Sequence, residues 1–293
     1  MSVSETTKQP LGVGRIVGDG FRVLFAKFWF FIIVGLLSGL VSFLVSLAML
    51  GPTVFTDIVA LAQAQNETSF QIINSVVSVI LFCLVFTFLI AGAHDVKQGV
   101  PINLGAYFQS ALKAFFPLLI LTIVIMVLAA LPALFVFIVG FALGFSSPSG
   151  GSAAAIIVLF GLLVIPLAFY IYACFSATIP AIVLENAGFS ALRRSLHLTR
   201  DYRGSIIGLF LIMVVLLLGL TFVLGGIIGA LAVGGSLVLE AVSVSSLLMF
   251  QGLNLILGAF ITAYLTIIAA LLFMRLREIK EGHGLSNVAE VFE

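Results

Sequence analysis

The sequence predicts an all-α polytopic membrane protein, six transmembrane helices arranged as three hairpins with short amphipathic cytoplasmic elbow helices. Three observations lead there. First, six runs lack Asp, Glu, Lys, Arg and His: Phe28 to Leu50, Ile72 to Gly92, Phe116 to Gly140, Ala154 to Phe175, Ile206 to Leu224 and Leu253 to Met274. Each approaches the ~20 residues with which an α-helix crosses ~30 Å of hydrocarbon. Second, when the intervening segments are assigned alternately to two compartments, all 13 Lys and Arg fall on the side of the N-terminus. The other side holds only Asp57, Glu67 and Glu240. Because Lys and Arg are held back on the cytoplasmic face and acids count for little, both termini are expected in the cytoplasm of a bacterium, with the chain in its inner membrane. Third, 62% of residues are apolar and 9% charged, against about 25% charged in a soluble domain. The net charge of +1 averages a basic face against a faintly acidic one and excludes nothing by itself.

The chain reads as a single integral domain over residues 1–293: an amphipathic N-terminal segment 1–27, the six spans within 28–274, and a tail 275–293. The first run lacks a small-residue cleavage site at its end and is expected to be a retained helix rather than a signal peptide. Before each odd-numbered span lies a segment of helical periodicity. Val13, Ile16, Val17, Phe21, Leu24 and Phe25 oppose Arg15, Asp19 and Arg22; Leu104, Phe108, Ala111, Leu112 and Phe115 accompany Gln109 and Lys113; Phe189, Leu192 and Leu196 oppose Arg193, Arg194, His197 and Arg200. A short helix with one charged face cannot insert across the bilayer and settles at its boundary, so these segments are expected to form elbows; the alternative is that each is the polar start of a longer helix. Of the outer connections, Gly225 to Phe250 is apolar and Gly-rich, and helix extension, re-entrant turn and surface helix all remain open for it.

An acid precedes a glycine by three or four positions at each return to the basic side: Asp95 and Gly99, Glu185 and Gly188, Glu278 and Gly282. The spacing suggests three copies of one unit. Small residues mark packing faces, Gly35, Gly39 and Ser42 on the first span and Gly225 with Gly229 near the end of the fifth, where they let another helix approach closely. Pro117 is placed at the start of a span, where its missing N–H costs nothing, and Pro132 and Pro166 are expected to kink theirs. Cys83 and Cys174 fall within spans, which argues against a disulfide.

No span carries an ionisable side chain of the kind that couples ion movement to transport. Asn74, Asn254, Thr262, Tyr264 and Thr266 offer hydrogen bonds to a neutral solute, although such groups more commonly bond between helices. His94, His197 and His283 lie on three separate basic-side turns, without a metal-ligand spacing, a nucleophile elbow or a phosphate-cradling loop. No catalytic residue, metal site or cofactor is expected. The densest basic constellation is Arg193, Arg194, Arg200 and Arg203, which with Lys97 and Lys113 forms a candidate surface for anionic lipid or for a protein partner; the same charges also enforce orientation.

Around this constellation the stretch Pro180-Ala-Ile-Val-Leu-Glu185-Asn-Ala-Gly188, followed by Ala191-Leu-Arg193-Arg194-Ser195 and Leu198-Thr-Arg200, resembles a turn of multi-pass bacterial proteins related to the membrane domain of glycerophosphoryl diester phosphodiesterases. The closing Arg275-Leu-Arg277-Glu278-Ile-Lys-Glu281-Gly282 resembles the end of that domain. The resemblance implies a membrane module without the catalytic barrel. The reading that results is a non-catalytic inner-membrane scaffold or accessory subunit that meets membrane lipid or a membrane-protein partner, with no nucleic-acid partner. A carrier or channel for a neutral or amphipathic solute is the alternative, and an enzyme acting on lipids would need polar groups converging on His94 or His197. Oligomeric state is not legible in the sequence.

Overall fold

A computed structural model describes residues 9–51, 68–144, 151–234 and 244–282. Within them the chain forms helices α1 (Val13–Ala26), α2 (Phe28–Leu50), α3 (Thr68–Gln98), α4 (Leu104–Gly144), α5 (Gly151–Phe175), α6 (Thr178–Glu185), α7 (Ala191–Thr199), α8 (Arg203–Gly234) and α9 (Val244–Glu281), with a 3-10 turn at Gly188–Ser190. Among the described residues six stretches are long and apolar enough to cross a membrane, within α2, α3, α4, α5 with α6, α8 and α9. The protein is an all-α multi-pass membrane protein. Its large exposed side chains agree with that solvent: Leu162, Phe222 and Trp29 are each more than 70% exposed, a liability in water and no cost against lipid tails.

The helices outrun the apolar segments. α3 has 31 residues, about 46 Å at 1.5 Å per residue, so His94, Asp95 and Lys97 ride on its last turns rather than on a loop. His197 likewise lies in α7. Thr178–Glu185, read from sequence as part of a turn, is helical, because Pro180 falls in the first turn of α6, where no partner carbonyl precedes it. On the outer side α8 continues to Gly234 and α9 begins at Val244, so helix extension accounts for the described parts of that connection.

Two of the three expected elbows are separate helices. α1 ends where Lys27 leaves helical geometry at φ −137° and ψ 50°, and a turn at 200–202 separates α7 from α8. The second is corrected: Leu104 to Phe115 runs unbroken into the third span as one 41-residue helix. Nothing between Phe115 and Phe116 interrupts the amide ladder, and Pro117 lies inside the helix rather than at its start, leaving the Lys113 carbonyl without its usual amide. α4 and α5 also continue through Pro132 and Pro166.

The glycines that mark the repeat have a physical basis. Gly99 has φ +73°, its N–H bonds Val96 O at 3.3 Å and the N–H of Val100 bonds Asp95 O at 2.9 Å, the paired bonds that close a helix on a left-handed residue. Gly282 follows α9 at φ +82°. In the middle copy Asn186 takes the left-handed position at φ 51° and its N–H bonds Ala181 O, so the cap shifts two residues ahead of Gly188.

By contact the chain divides into two compact units, one from Gly18–Phe115 and Leu211–Ile268, the other from Met1–Val17, Phe116–Phe210 and Ala269–Glu293. In the first, backbones approach closely. A Cβ on Gly35 would stand 2.7 Å from Ala259 O in α9, one on Gly39 2.5 Å from Leu255 Cδ2, and one on Gly20 of α1 2.5 Å from Ile268 Cδ1. On α2's other neighbour, Phe30 fills the space beside Gly92 of α3. Such contacts replace the hydrophobic driving force that is missing between helices in lipid. Ser42 is not described beyond its place in α2, nor Gly225 and Gly229 beyond theirs in α8.

In the second unit, hydroxyl groups do part of this work. Ser195 Oγ of α7 donates to Cys174 O at the end of α5 at 2.8 Å, and Thr199 Oγ1 shares its one proton between Ser195 O at 2.9 Å and Cys174 O at 3.2 Å. Both side chains are fully buried, and together they satisfy a carbonyl that the bend before α6 leaves exposed.

Candidate functional site

The basic constellation separates into charges that are neutralised within the protein and charges that are not. In the unit containing α7, Glu185 closes α6 and Glu281 closes α9. Arg194 approaches both. Its Nε and Nη2 donate to Glu185 Oε2 and Oε1, each at 2.9 Å, a bidentate pair, and it also pairs with Glu281. Arg277 Nε stands 3.1 Å from Glu281 Oε2 and 3.4 Å from Glu185 Oε1. Two guanidinium groups and two carboxylates thus alternate in a ring of zero net charge. The Glu185 carboxylate above all, and Glu281 after it, hold the Arg194 guanidinium above its ordinary pKa against the opposing effect of partial burial. Lys280 pairs with Asp201, and Arg275 Nη1 with Glu278 at 2.7 Å.

Arg203 donates to the Tyr170 hydroxyl, with its guanidinium carbon 5.2 Å from the Tyr170 ring centroid, a cation held by a π face. Its Nε is buried without a partner. Tyr202 Oη donates to Gln9 O at 3.1 Å, tying the start of the described chain to the turn before α8.

Arg193, His197 and Arg200 behave differently. They follow one another at helical spacings of four and three, all three are exposed, and no partner is recorded for them among the described residues. Arg200 keeps helical geometry at φ −47° and ψ −44°, so the stripe continues past the end of α7. Phe189, 59% exposed, and Leu196, 38% exposed, which the periodicity set opposite these cations, stand outward with them instead, because the face that α7 buries is Ala191, Ser195, Leu198 and Thr199. This combination of cations and outward apolar side chains fits an interface.

The other unit carries a second polar group. Lys97 Nζ donates to Asp19 Oδ2 at 2.6 Å. Tyr107 Oη donates to Asp95 Oδ2 at 2.6 Å, while His94 Nδ1 lies 3.2 Å from Asp95 Oδ1 and its Nε2 lies 2.9 Å from Gln98 Nε2. A proton on Nδ1 lets the imidazole donate to Asp95 and accept from Gln98, so both ring nitrogens are used within the protein. Tyr107 is 3% exposed and packs between the rings of Phe30 and Phe88. Lys113 is exposed, with no partner recorded among the described residues. No three His, Cys, Asp or Glu side chains converge among the described residues.

Of the six basic residues singled out in the sequence, Arg194, Arg203 and Lys97 are therefore engaged internally, and Lys113, Arg193 and Arg200 face outward. Sequence reasoning missed the partners. Asp19 with Lys97 and Asp201 with Lys280 are 78 and 79 residues apart, a recurrence that, beside the acid–glycine marks, was the available clue. Comparison with protein-family models, with curated proteins and with solved structures finds no match to this chain.

Proposed function

We propose that the chain is a non-catalytic membrane protein of a bacterial inner membrane, with both termini and the basic helix ends in the cytoplasm, serving as a scaffold that engages anionic lipid through Arg193, Arg200 and Lys113. The observation that carries this reading is the division of the basic residues: half of those singled out are consumed in internal pairs, while Arg193 and Arg200 stand outward beside Phe189 and Leu196, and Lys113 stands outward on its own unit. Orientation alone needs only the presence of cations, whereas an unpaired stripe flanked by apolar side chains also supplies a place for headgroups to sit. The likeness of the Pro180 to Ser195 segment to a membrane module supports the same architecture.

The test is the preference of the purified protein for phosphatidylglycerol over phosphatidylcholine in mixed micelles. Each cation near an anionic surface contributes about 1 kcal/mol, so Arg193→Gln with Arg200→Gln is expected to reduce that preference up to roughly thirtyfold. An unchanged preference contradicts the lipid reading, and a stoichiometric acidic protein retained by the wild type but lost from the double variant replaces it with a protein partner.

A further inference from the structure

A recess of about 310 Å³ opens beside α1, lined by Asp19, Arg22, Val23 and Ala26 from that helix and by Val96 and Lys97 from the last turn of α3. The four α1 residues share one face through the spacings three, one and three. We propose that this recess holds the phosphodiester headgroup of a membrane phospholipid. The proposal rests on the reading that the basic face meets a lipid leaflet, but it names a different place and a residue outside the stripe on α7.

Three observations converge on it. The charges are unequal: Lys97 is matched by Asp19 at 2.6 Å, while Arg22 is exposed and has no partner recorded among the described residues. One carboxylate and two cations leave the recess with the single positive charge that a phosphodiester complements, and Arg22 brings the forked donors suited to its oxygens. The apolar part of the lining, Val23, Ala26 and Val96, suits the glycerol side of the group.

Depth is the second observation. The recess lies where α1 hands over to the first span, which begins at Phe28, and where the second span ends at Gln98. Phe25 and Trp29, 61% and 74% exposed, flank Ala26 in sequence and are of the kind that settles at the headgroup boundary. A lipid phosphate reaches this depth by residing in the leaflet.

The third observation is an internal control. The Asp–Lys pair recurs as Asp201 with Lys280, yet three residues beyond Asp201 stands Gly204, where three beyond Asp19 stands Arg22. The pair by itself fastens helices in both places; at the first, Arg22 joins it on the same face of one helix, whereas at the second Asp201 lies in a turn and the arginine that follows it, Arg203, is engaged with Tyr170.

The chain's single tryptophan, Trp29, supplies the readout, with bound phospholipid per purified chain measured alongside by native mass spectrometry. The wild type in detergent is titrated with phosphatidylethanolamine, with a phosphate-free glycosyl diacylglycerol, and with inorganic phosphate. Saturable occupancy by one phospholipid, with a change in Trp29 emission, is expected, and neither the glycolipid nor millimolar phosphate should reproduce it. Arg22→Gln should weaken occupancy by about tenfold or more, the loss of one charge-assisted contact, and Val96→Trp, followed by native mass spectrometry alone because it adds a second indole, should block it by filling the recess without altering its charges. Arg193→Gln with Arg200→Gln should leave it intact, so loss of the surface preference and loss of the recess are read separately. Wild-type occupancy in both Arg22→Gln and Val96→Trp overturns the proposal, and displacement of the lipid by inorganic phosphate alone reassigns the recess to a soluble anion.

Discussion

The two units fasten their helices by different physics. In the unit containing α2, glycines let backbones meet, with the Cβ position of Gly35 2.7 Å from Ala259 O, and the pair Asp19–Lys97 lies nearer the surface. In the unit containing α7, a ring of Glu185, Arg194, Arg277 and Glu281 is joined by hydroxyl groups that cap the end of α5. The difference teaches that identical residue types on a basic face have different duties within each unit: Arg194 and Lys97 are consumed in internal pairs, while Arg193 and Arg200 in the one and Arg22 and Lys113 in the other stand outward.

Four substitutions break or sharpen that contrast. Gly35→Leu has the largest expected effect. It forces side-chain atoms into a backbone carbonyl that cannot step aside, costing about 3 kcal/mol or more, and should appear as loss of a monodisperse folded species in detergent, insensitive to salt. Arg194→Ala comes next, because it leaves the half-buried carboxylates of Glu185 and Glu281 facing each other with one cation fewer. About 2 kcal/mol is expected, seen as a lower melting temperature, and the wild-type margin over the variant should shrink as ionic strength rises.

Ser195→Ala removes the shorter donor to Cys174 O and leaves only the proton that Thr199 shares with Ser195 O, so a loss of about 1 kcal/mol is expected, with faster hydrogen exchange in α7 as its local signature. Lys97→Ala is the mildest. Its side chain is 42% exposed, and an exposed pair is worth about 0.5 kcal/mol; a drop in melting temperature matching that of Arg194→Ala would erase the distinction between the units.

The spans were legible because lipid imposes a length and excludes charge, a rule every apolar run displays by itself. The capping glycines were legible for a related reason, since Gly99 and Gly282 must adopt a conformation that other residues resist. The second elbow was not. Leu104 to Phe115 has the periodicity of its counterparts, but a break depends on one backbone position such as Lys27, and no residue type at Phe115 or Phe116 announces its absence. The candidate site was half legible. Charge counting found the basic residues, while the partners that silence Arg194 and Lys97 come from segments brought together only by folding.

The claim on which the rest depends is that the outward basic stripe lies on the cytoplasmic side, across the bilayer from the start of α3. Cys83 and Cys174 are buried, so cysteines introduced at the exposed positions Ser69 and Arg193 can be followed with a membrane-impermeant maleimide. In intact spheroplasts the account expects Ser69→Cys to be labelled at once and Arg193→Cys only after lysis; labelling of Arg193→Cys from outside, or protection of Ser69→Cys until lysis, contradicts it.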